Sequence, residues 1–155
     1  MIDQTNDTET IGEIFKNSIV NQTFVSEQNN INGISIKLAT FTRVNKGHII
    51  IGLEDSNSGR TIYESKVNTE SISDNDYYKI RFPPIKNSNG KKYNIYIKSL
   101  DGIPNNAITL YTSKNDVYSK GSFYINGVMK NVDATFQVVY NKSIFNYLLD
   151  FKSFL

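Results

Sequence analysis

The chain has 155 residues, of which 39% are hydrophobic and 21% are charged, and its formal net charge is +2. This length and composition predict about one folded domain and exclude disorder of the whole chain. The small charge, with lysines spread along the sequence, gives no basic patch of the kind that binds nucleic acids. Because the chain has no cysteine, disulfides, thiol catalysis and cysteine-based zinc sites are excluded.

The beginning of the chain carries no recognisable targeting signal. Residues 1–10 are polar and acidic, whereas a secretory signal peptide needs a basic region followed by an apolar one. We predict that they form a flexible lead-in. The sequence also lacks the run of about 18 apolar residues that a membrane-spanning helix requires. The chain is therefore interpreted as a cytosolic protein, a mature fragment or one domain of a longer protein.

Residues 11–140 show the alternation of apolar and polar positions that predicts β-strands, about ten of them. The first is predicted near residues 11–15, and Pro83-Pro84 is predicted to end a later one. The dipeptide Asn126-Gly127 is the strongest hairpin signal. Since the gaps are too short for helical crossovers, the sequence predicts an all-β, jelly-roll-like antiparallel β-sandwich, with a closed barrel as the alternative.

Residues 141–155 change to a helical period. Ile144, Leu148, Phe151 and Leu155 recur at the spacing of one helix face. We predict a short C-terminal amphipathic helix or the start of a linker.

Few residues suit catalysis. His48 is the single histidine, so a histidine-rich metal site is excluded, and the sequence gives no reason to expect an acid or a nucleophile beside it. His48 is therefore interpreted as a structural or surface residue. Neither a phosphate-binding loop nor a nucleophile elbow occurs. A jelly roll can hold a structural calcium ion through loop carboxylates, but no aspartate-rich calcium loop supports one here, and no cofactor or metal is expected.

Carboxylates could still form the acid pair of a glycosidase. The candidates are Glu54, Asp55, Glu64, Asp74, Asp76, Asp116 and Asp133. Glu54, Asp55, Asp74 and Asp76 flank predicted turns, where acids commonly bond the local backbone. We therefore favour that role and predict that the chain is not an enzyme, with a small glycan-active enzyme as the minor alternative.

Aromatic residues make up 12% of the chain and give the more useful signal. Phe24, Tyr78, Phe82, Tyr93 and Phe136 are predicted in the core. Exposed aromatic rings stack on sugar rings while nearby amides and carboxylates bond the hydroxyls. The predicted ligand-binding residues are the outward-facing Tyr63, Tyr77, Tyr96 and Tyr111, and the loop residues Asn105, Asn106, Asp116 and Tyr118. Ordinary packing of tyrosines on neighbouring strands is the competing interpretation.

An ordered series of short strings carries a resemblance to a known group of proteins. They lie at residues 11–14, 21–24, 32–34, 40–45, 49–55, 82–85, 88–93, 106–110, 117–118 and 124–127. Taken in order, they resemble an extracytoplasmic β-sandwich module of bacterial membrane glycosyltransferases and related cell-envelope polysaccharide proteins. The resemblance implies a non-catalytic accessory domain at the bacterial cell envelope that binds carbohydrate, with catalysis elsewhere in a longer protein.

The resemblance leaves a second function open. The predicted apolar tail helix suits a structural or protein-interaction domain that packs on the membrane portion of a transferase or on its partners. The resemblance carries over no ligand-binding residues, so the candidate site rests on the aromatic and polar residues named above.

Overall fold

Alternating side chains build an all-β structure. The computed structural model describes residues 1–142, which contain twelve strands and one 3-10 turn, Thr69–Ser71. The strands are β1 (Ile2–Gln4), β2 (Glu9–Thr10), β3 (Ile19–Val25), β4 (Ile31–Ala39), β5 (His48–Asp55), β6 (Thr61–Asn68), β7 (Asp76–Ile85), β8 (Lys92–Ser99), β9 (Thr109–Thr112), β10 (Phe123–Ile125), β11 (Val128–Lys130) and β12 (Phe136–Tyr140).

The strands form two sheets of six, and every strand pair is antiparallel. In the first sheet β4 pairs with β7 on one side and with β12 and β9 on the other, and β1 and β2 extend these two. The second sheet has the order β11-β10-β3-β8-β5-β6. Most neighbours in both sheets are distant in sequence, so the fold depends on long-range pairing.

The two sheets enclose one hydrophobic core. Phe24 of β3 and Phe136 of β12 bring the sheets together, with 6.0 Å between their ring centroids, and Tyr93 of β8 lies 5.7 Å from Phe24. These three side chains are fully buried, and Tyr78 and Phe82 are partly buried and pack against the core. The prediction of an all-β antiparallel sandwich is confirmed, and so is the core position of Phe24, Tyr93 and Phe136, while Tyr78 and Phe82 lie at the core's margin.

The predicted Asn-Gly hairpin is also confirmed. Asn126 and Gly127 have φ values of 50° and 79° and connect β10 to β11. Two successive positive φ angles match the type I′ turn, which twists in the sense that antiparallel strands require. The Asn126 side chain accepts a hydrogen bond of 2.8 Å from the Ile19 backbone N–H, and the Asn126 N–H donates to the Ile19 carbonyl. The hairpin is thereby fixed to the start of β3.

Three local expectations differ from the structure. Residues 1–10, predicted as a flexible lead-in, contain β1 and β2, because Ile2 and Gln4 are buried beside β12 while Asp3 and the residues of β2 are exposed. Residues 11–15 form no strand, although the Ile14 N–H donates to the Ile108 carbonyl. β7 continues through Pro83 and Pro84 to Ile85, because it pairs with β4 alone in the described part of the chain and the edge tolerates missing donors.

The remaining element lies beyond the described residues. The predicted C-terminal helix, within residues 141–155, falls largely on residues 143–155, so the structure does not bear on it. Across residues 1–142, no helix has the length and hydropathy needed to cross a bilayer.

Candidate functional site

The outer face of the second sheet carries one row of side chains that crosses its strands. Asn21 pairs with Tyr96, Tyr96 with Gly52, and Gly52 with Glu64. Residues paired directly in antiparallel strands point to the same side of the sheet. Their neighbours Val20, Ile51 and Ile97 are buried in the core, so this row faces away from it.

An open depression surrounds Tyr96 on this face. Its volume is about 500 Å³. It is lined by Ile19, Asn21, Ile50, Glu54, Glu64, Asn94, Tyr96, Lys98 and Leu100. We call it the Tyr96 depression. The strand alternation that buries Tyr93, Ile95 and Ile97 of β8 is the same alternation that turns Asn94, Tyr96 and Lys98 outward.

A chain of side-chain hydrogen bonds orders the polar half of the Tyr96 depression. Asn21 Nδ2 donates to Asn94 Oδ1 at 3.0 Å, and Asn94 Nδ2 donates to Glu54 Oε1 at 2.9 Å. These bonds fix both amides and leave the second oxygen of Glu54 without a protein donor among the described residues. The depression therefore presents ordered acceptors to a ligand before the ligand arrives.

Tyr96 is held in place from two directions. Its ring lies across Gly52, where the Cβ of any other residue would overlap Tyr96 Cζ and Oη. Its hydroxyl donates to Glu64 Oε2 at 2.6 Å. Burial is the larger cause and the hydrogen bond to Glu64 the second, and together they raise the pKa of Tyr96 to about 12. The phenol thus stays neutral at physiological pH and keeps donating to Glu64.

The depression combines an apolar side with a polar one. Ile19 and Ile50 lie in the row of Lys98, on one side of Tyr96, and Asn94 and Glu54 lie in the row on its other side. Asn21 and Glu64 lie in the row of Tyr96 itself. An aromatic platform with a few convergent polar groups is the usual construction of a small-ligand site. This arrangement can hold a hydroxylated ring by stacking and by hydrogen bonds to its hydroxyls.

Two of the four predicted outward tyrosines lie on the opposite face of the molecule. Tyr77 and Tyr111 are on the outer face of the first sheet, on either side of Lys37. The Lys37 ammonium is 6.0 Å from the Tyr77 ring centroid and 5.0 Å from the Tyr111 centroid, and it is 2.5 Å from Asp7 Oδ2. Both rings therefore already contact a cation of the protein.

Tyr63 faces inward rather than outward. It pairs with the buried Leu53, and its ring centroid lies 5.8 Å from that of Phe82 across the sandwich. The register shifts between Leu53 and Glu54, so a β-bulge lets both Ile62 and Tyr63 pack against the core. Tyr63 keeps the register of Val67, which pairs with the buried Ile49, so Tyr63 follows the inward alternation of β6 and the bulge adds Ile62 to it.

The predicted loop residues lie at two ends of the sandwich. Asn106 bonds both polar groups of the Lys46 backbone, and the Asn105 N–H donates to Glu13. The loop that holds Asn105 and Asn106 lies near the start of β3, because its Gly102 carbonyl accepts a hydrogen bond from the N–H of Lys16, which precedes that strand. Tyr118 lies at the other end of β3, where its hydroxyl accepts from the Val25 N–H at 3.3 Å. The structure therefore does not bring these two loops together.

A buried carboxylate fixes the Tyr118 loop. Asp133 is 0% exposed, and its Oδ2 accepts from the N–H groups of Val117 and Tyr118, both at 2.8 Å. Its Oδ1 accepts from Gln22 Nε2 at 3.1 Å. Asp116, beside this loop, is exposed. Asp133 is thus a structural anchor that no external substrate reaches.

Most other candidate acids serve the backbone beside them. Asp55 accepts from the N–H groups of Asn57 and Ser58, which hold its pKa below the usual value. Asp74 accepts from the Thr40 N–H at 2.6 Å, and Asp76 from the Tyr77 N–H at 2.8 Å. The favoured interpretation as local backbone acceptors matches the hydrogen bonds of Asp55 and Asp76, whereas Asp74 bonds Thr40, which follows β4 and is 34 residues away in the chain. Glu54 and Glu64, in contrast, lie together in the Tyr96 depression.

His48 has an acid neighbour that the sequence did not reveal. Asp101 Oδ2 lies 3.4 Å from His48 Nδ1, and Asp101 Oδ1 accepts from the His48 backbone N–H at 2.7 Å. Among the described residues this carboxylate is the ring's only hydrogen-bond partner. Asp101 thus bonds both the backbone and the side chain of the first residue of β5.

Sequence reasoning found Tyr96 but missed the residues that surround it. Asn21 and Asn94 share its face, and Gly52 makes room for its ring. The alternation within β8 could have identified Asn94 as an outward neighbour. Asn21 and Gly52 could not have been placed beside Tyr96 without the strand order. No family model matches the sequence, and no curated protein matches it.

Proposed function

We propose that this chain is a non-catalytic carbohydrate-binding domain, built as a jelly-roll-like sandwich, and that it binds glycan in the Tyr96 depression. The observation that carries the proposal is the position of Tyr96 across Gly52, between a hydrogen-bonded amide–carboxylate chain and Glu64. A fixed aromatic ring with ordered acceptors around it suits a ligand that has apolar C–H faces and many hydroxyl donors, which is the chemistry of a sugar.

The electrostatics of the depression support a polyhydroxylated ligand. Glu54 and Glu64 supply acceptors, while Lys98 supplies a donor at the opposite side, and none of the three forms a salt bridge within residues 1–142. The lining therefore offers charged acceptors on two glutamates and a donor on one lysine. A mixture of acceptors and donors suits a ligand that is bound through many neutral hydroxyls.

The second sheet is favoured over the first for a physical reason. On the first sheet, Lys37 lies against Tyr77 and Tyr111 and is itself bonded to Asp7. A sugar would have to displace that ammonium before stacking on either ring. At Tyr96 no cation of the described chain lies over the ring, so stacking there requires no such exchange.

The wider setting proposed for the domain rests on the ordered strings that resemble envelope glycosyltransferase modules. We place it outside the cytoplasmic membrane of a bacterium, as an accessory to a transferase or a surface-polysaccharide system. The membrane portion of a larger protein would be a second partner. Co-expression with such a portion separates glycan binding from the alternative role as a protein-interaction domain.

A titration experiment tests the proposal. Cell-wall and capsular polysaccharides are screened on an array, and those bound are titrated calorimetrically against the wild type and Asn94→Ala. The Asn94→Ala variant loses one polar contact to the ligand, and the side chains of Asn21 and Glu54 lose the hydrogen bonds that hold them in place. The affinity is therefore expected to fall by about fivefold. Tyr77→Ala, on the other sheet, serves as the control and should bind like the wild type. Absence of binding to every polysaccharide, or an equal loss in Tyr77→Ala, would overturn the proposal.

The nearness of Glu54 and Glu64 gives one specific reason to test hydrolysis as well. Acid pairs on either side of a sugar are the usual machinery of glycosidases. We expect no release of reducing ends when bound polysaccharide is incubated with the protein. Turnover that disappears in both Glu54→Gln and Glu64→Gln would replace the binding role with a hydrolytic one.

A further inference from the structure

We infer that the ligand is an extended oligosaccharide that crosses the strands of the second sheet, and that Tyr124 forms a second binding position for it. The inference rests on the proposed function, and it adds the ligand's size and direction. It follows from the strand register: the row of side chains that contains Tyr96 continues past the Tyr96 depression to Tyr124.

The register places Tyr124 on the same outer face as Tyr96. Tyr124 of β10 pairs with Asn21 of β3, which pairs with Tyr96 of β8. Two strand spacings separate the tyrosines, or about 10 Å. That distance exceeds the width of one sugar ring. The two tyrosines would therefore contact different units of one chain.

Tyr124 is available for such a contact. Its side chain is partly exposed, and its hydroxyl makes no hydrogen bond within the described residues. Met129 of β11 pairs with Tyr124 and is 62% exposed, so the apolar surface continues to the edge strand. Polarizable Met next to an aromatic ring is a common component of adaptable binding surfaces.

Asn21 is positioned to contact a ligand between the two tyrosines. It lies between them in the row, and its Nδ2 donates to Asn94. This bond turns Asn21 Oδ1 away from Asn94, and no described residue donates to that oxygen. Asn21 thus offers an acceptor to a sugar unit that bridges the two rings.

Two parallel rows border the central one. On one side lie Ile19, Lys98, Ile50 and Lys66, which pair in sequence across β3, β8, β5 and β6. On the other side Thr23, Asn94 and Glu54 pair across β3, β8 and β5. The central row therefore forms a strip across the strands. One side of this strip is lined by aliphatic and lysine side chains, and the other by hydroxyl, amide and carboxylate side chains. A linear ligand fits this strip when it runs across the strands.

The hairpin that carries Tyr124 is rigidly attached. Asn126 makes two hydrogen bonds of 2.8 Å with Ile19, and the turn has the two positive φ angles that suit its strands. Tyr124 is therefore presented in a fixed position relative to Tyr96, which lowers the entropy cost of binding.

A length series tests the inference on the full chain. The polysaccharide with the highest affinity in the screen is partly hydrolysed with acid, and fractions from mono- to hexasaccharide are titrated. The wild type is expected to gain at least about tenfold in affinity from the disaccharide to the tetrasaccharide. Tyr124→Ala should remove a gain of about threefold to tenfold for the longer fractions and leave the affinity for the shortest unchanged.

The matched control is Val128→Ala, which alters the same hairpin. Val128 pairs with Ile125, so it lies on the face opposite to Tyr124 and Met129, and this variant should keep the length dependence. If affinity is already maximal for the monosaccharide, or if Val128→Ala and Tyr124→Ala lose equally, the inference fails while the proposed function stands. If no fraction and no polysaccharide binds, the proposed function itself fails.

Discussion

Asp133→Ala is expected to lower the free energy of unfolding by about 3 kcal/mol. The carboxylate is fully buried and accepts from Gln22 and from the N–H groups of Val117 and Tyr118. Alanine would leave the Val117 and Tyr118 N–H groups without this acceptor and Gln22 Nε2 with the Thr23 carbonyl alone. A buried donor without an acceptor costs about 1–3 kcal/mol, less the gain from removing a buried charge. In a domain of this size the thermal midpoint should fall by about 6–12 °C.

Thermal unfolding followed by circular dichroism measures this effect. Asp133→Asn is the informative comparison, because its side-chain oxygen can still accept from the Tyr118 loop and it should cost about 1 kcal/mol. Asp116→Asn, an exposed neighbour, should change the midpoint little. A midpoint of Asp133→Ala within the error of the wild type would contradict the role of Asp133 as the anchor of this loop.

The same carboxyl gives stability a defined pH dependence. Burial raises the pKa of Asp133 above its ordinary value of 3.8, against the lowering effect of its N–H donors. The folded chain then retains this proton at a pH at which the unfolded chain has lost it. The contribution of Asp133 is therefore greatest below 3.8 and is lost as the pH rises through the raised folded pKa. Asp133→Asn should lack this component.

Gly52→Ala is expected to weaken glycan binding by at least about tenfold without removing any group that touches the ligand. The new Cβ would occupy the space of Tyr96 Cζ and Oη, so the ring must swing away and lose its bond to Glu64. Gly52 has no left-handed backbone angle that would forbid alanine. Because the displaced group is the end of a flexible side chain, the free energy of unfolding should change by less than about 1 kcal/mol.

Calorimetric titration of Gly52→Ala beside Tyr96→Ala measures this effect, and the two variants should lose a similar fraction of the affinity. The first sheet offers a matched control in Gly33, whose added Cβ would meet the Arg81 guanidinium in the same manner. Gly33→Ala should bind like the wild type. Full affinity in Gly52→Ala, with the displacement of Tyr96 verified by the shift of its ring resonances, would remove Tyr96 from the site.

The fold was predictable where local patterns decide it. The alternation of Ile34, Ile36 and Leu38 identified β4, and Asn126-Gly127 identified a hairpin that needs positive φ at both positions. β1 and β2 were not predictable, because strands of two or three residues form only when β12 and β9 offer an edge. The bulge beside Leu53 likewise depends on the partner strand, and it lets Ile62 pack against the core next to Tyr63.

The site was predictable only in part, for a related reason. Sequence alternation placed Tyr96 outward, but it could not say which outward residues share a sheet. The order β10-β3-β8-β5 brings Asn21 and Gly52 beside Tyr96, and Tyr124 into the same row, from strands that are far apart in the chain. The same order places Tyr77 and Tyr111 on the other sheet. The sequence therefore could not show that Tyr96 lies on one sheet and Tyr77 and Tyr111 on the other, because this separation depends on long-range strand pairing.

The most direct test of the account is a nuclear magnetic resonance titration of the ¹⁵N-labelled protein with a polysaccharide fragment that it binds. We expect chemical-shift changes concentrated on the outer face of β3, β8, β5 and β10, including the side-chain amides of Asn21 and Asn94. Shifts concentrated instead around Tyr77 and Tyr111 on the first sheet, or around the Tyr118 loop, would contradict it.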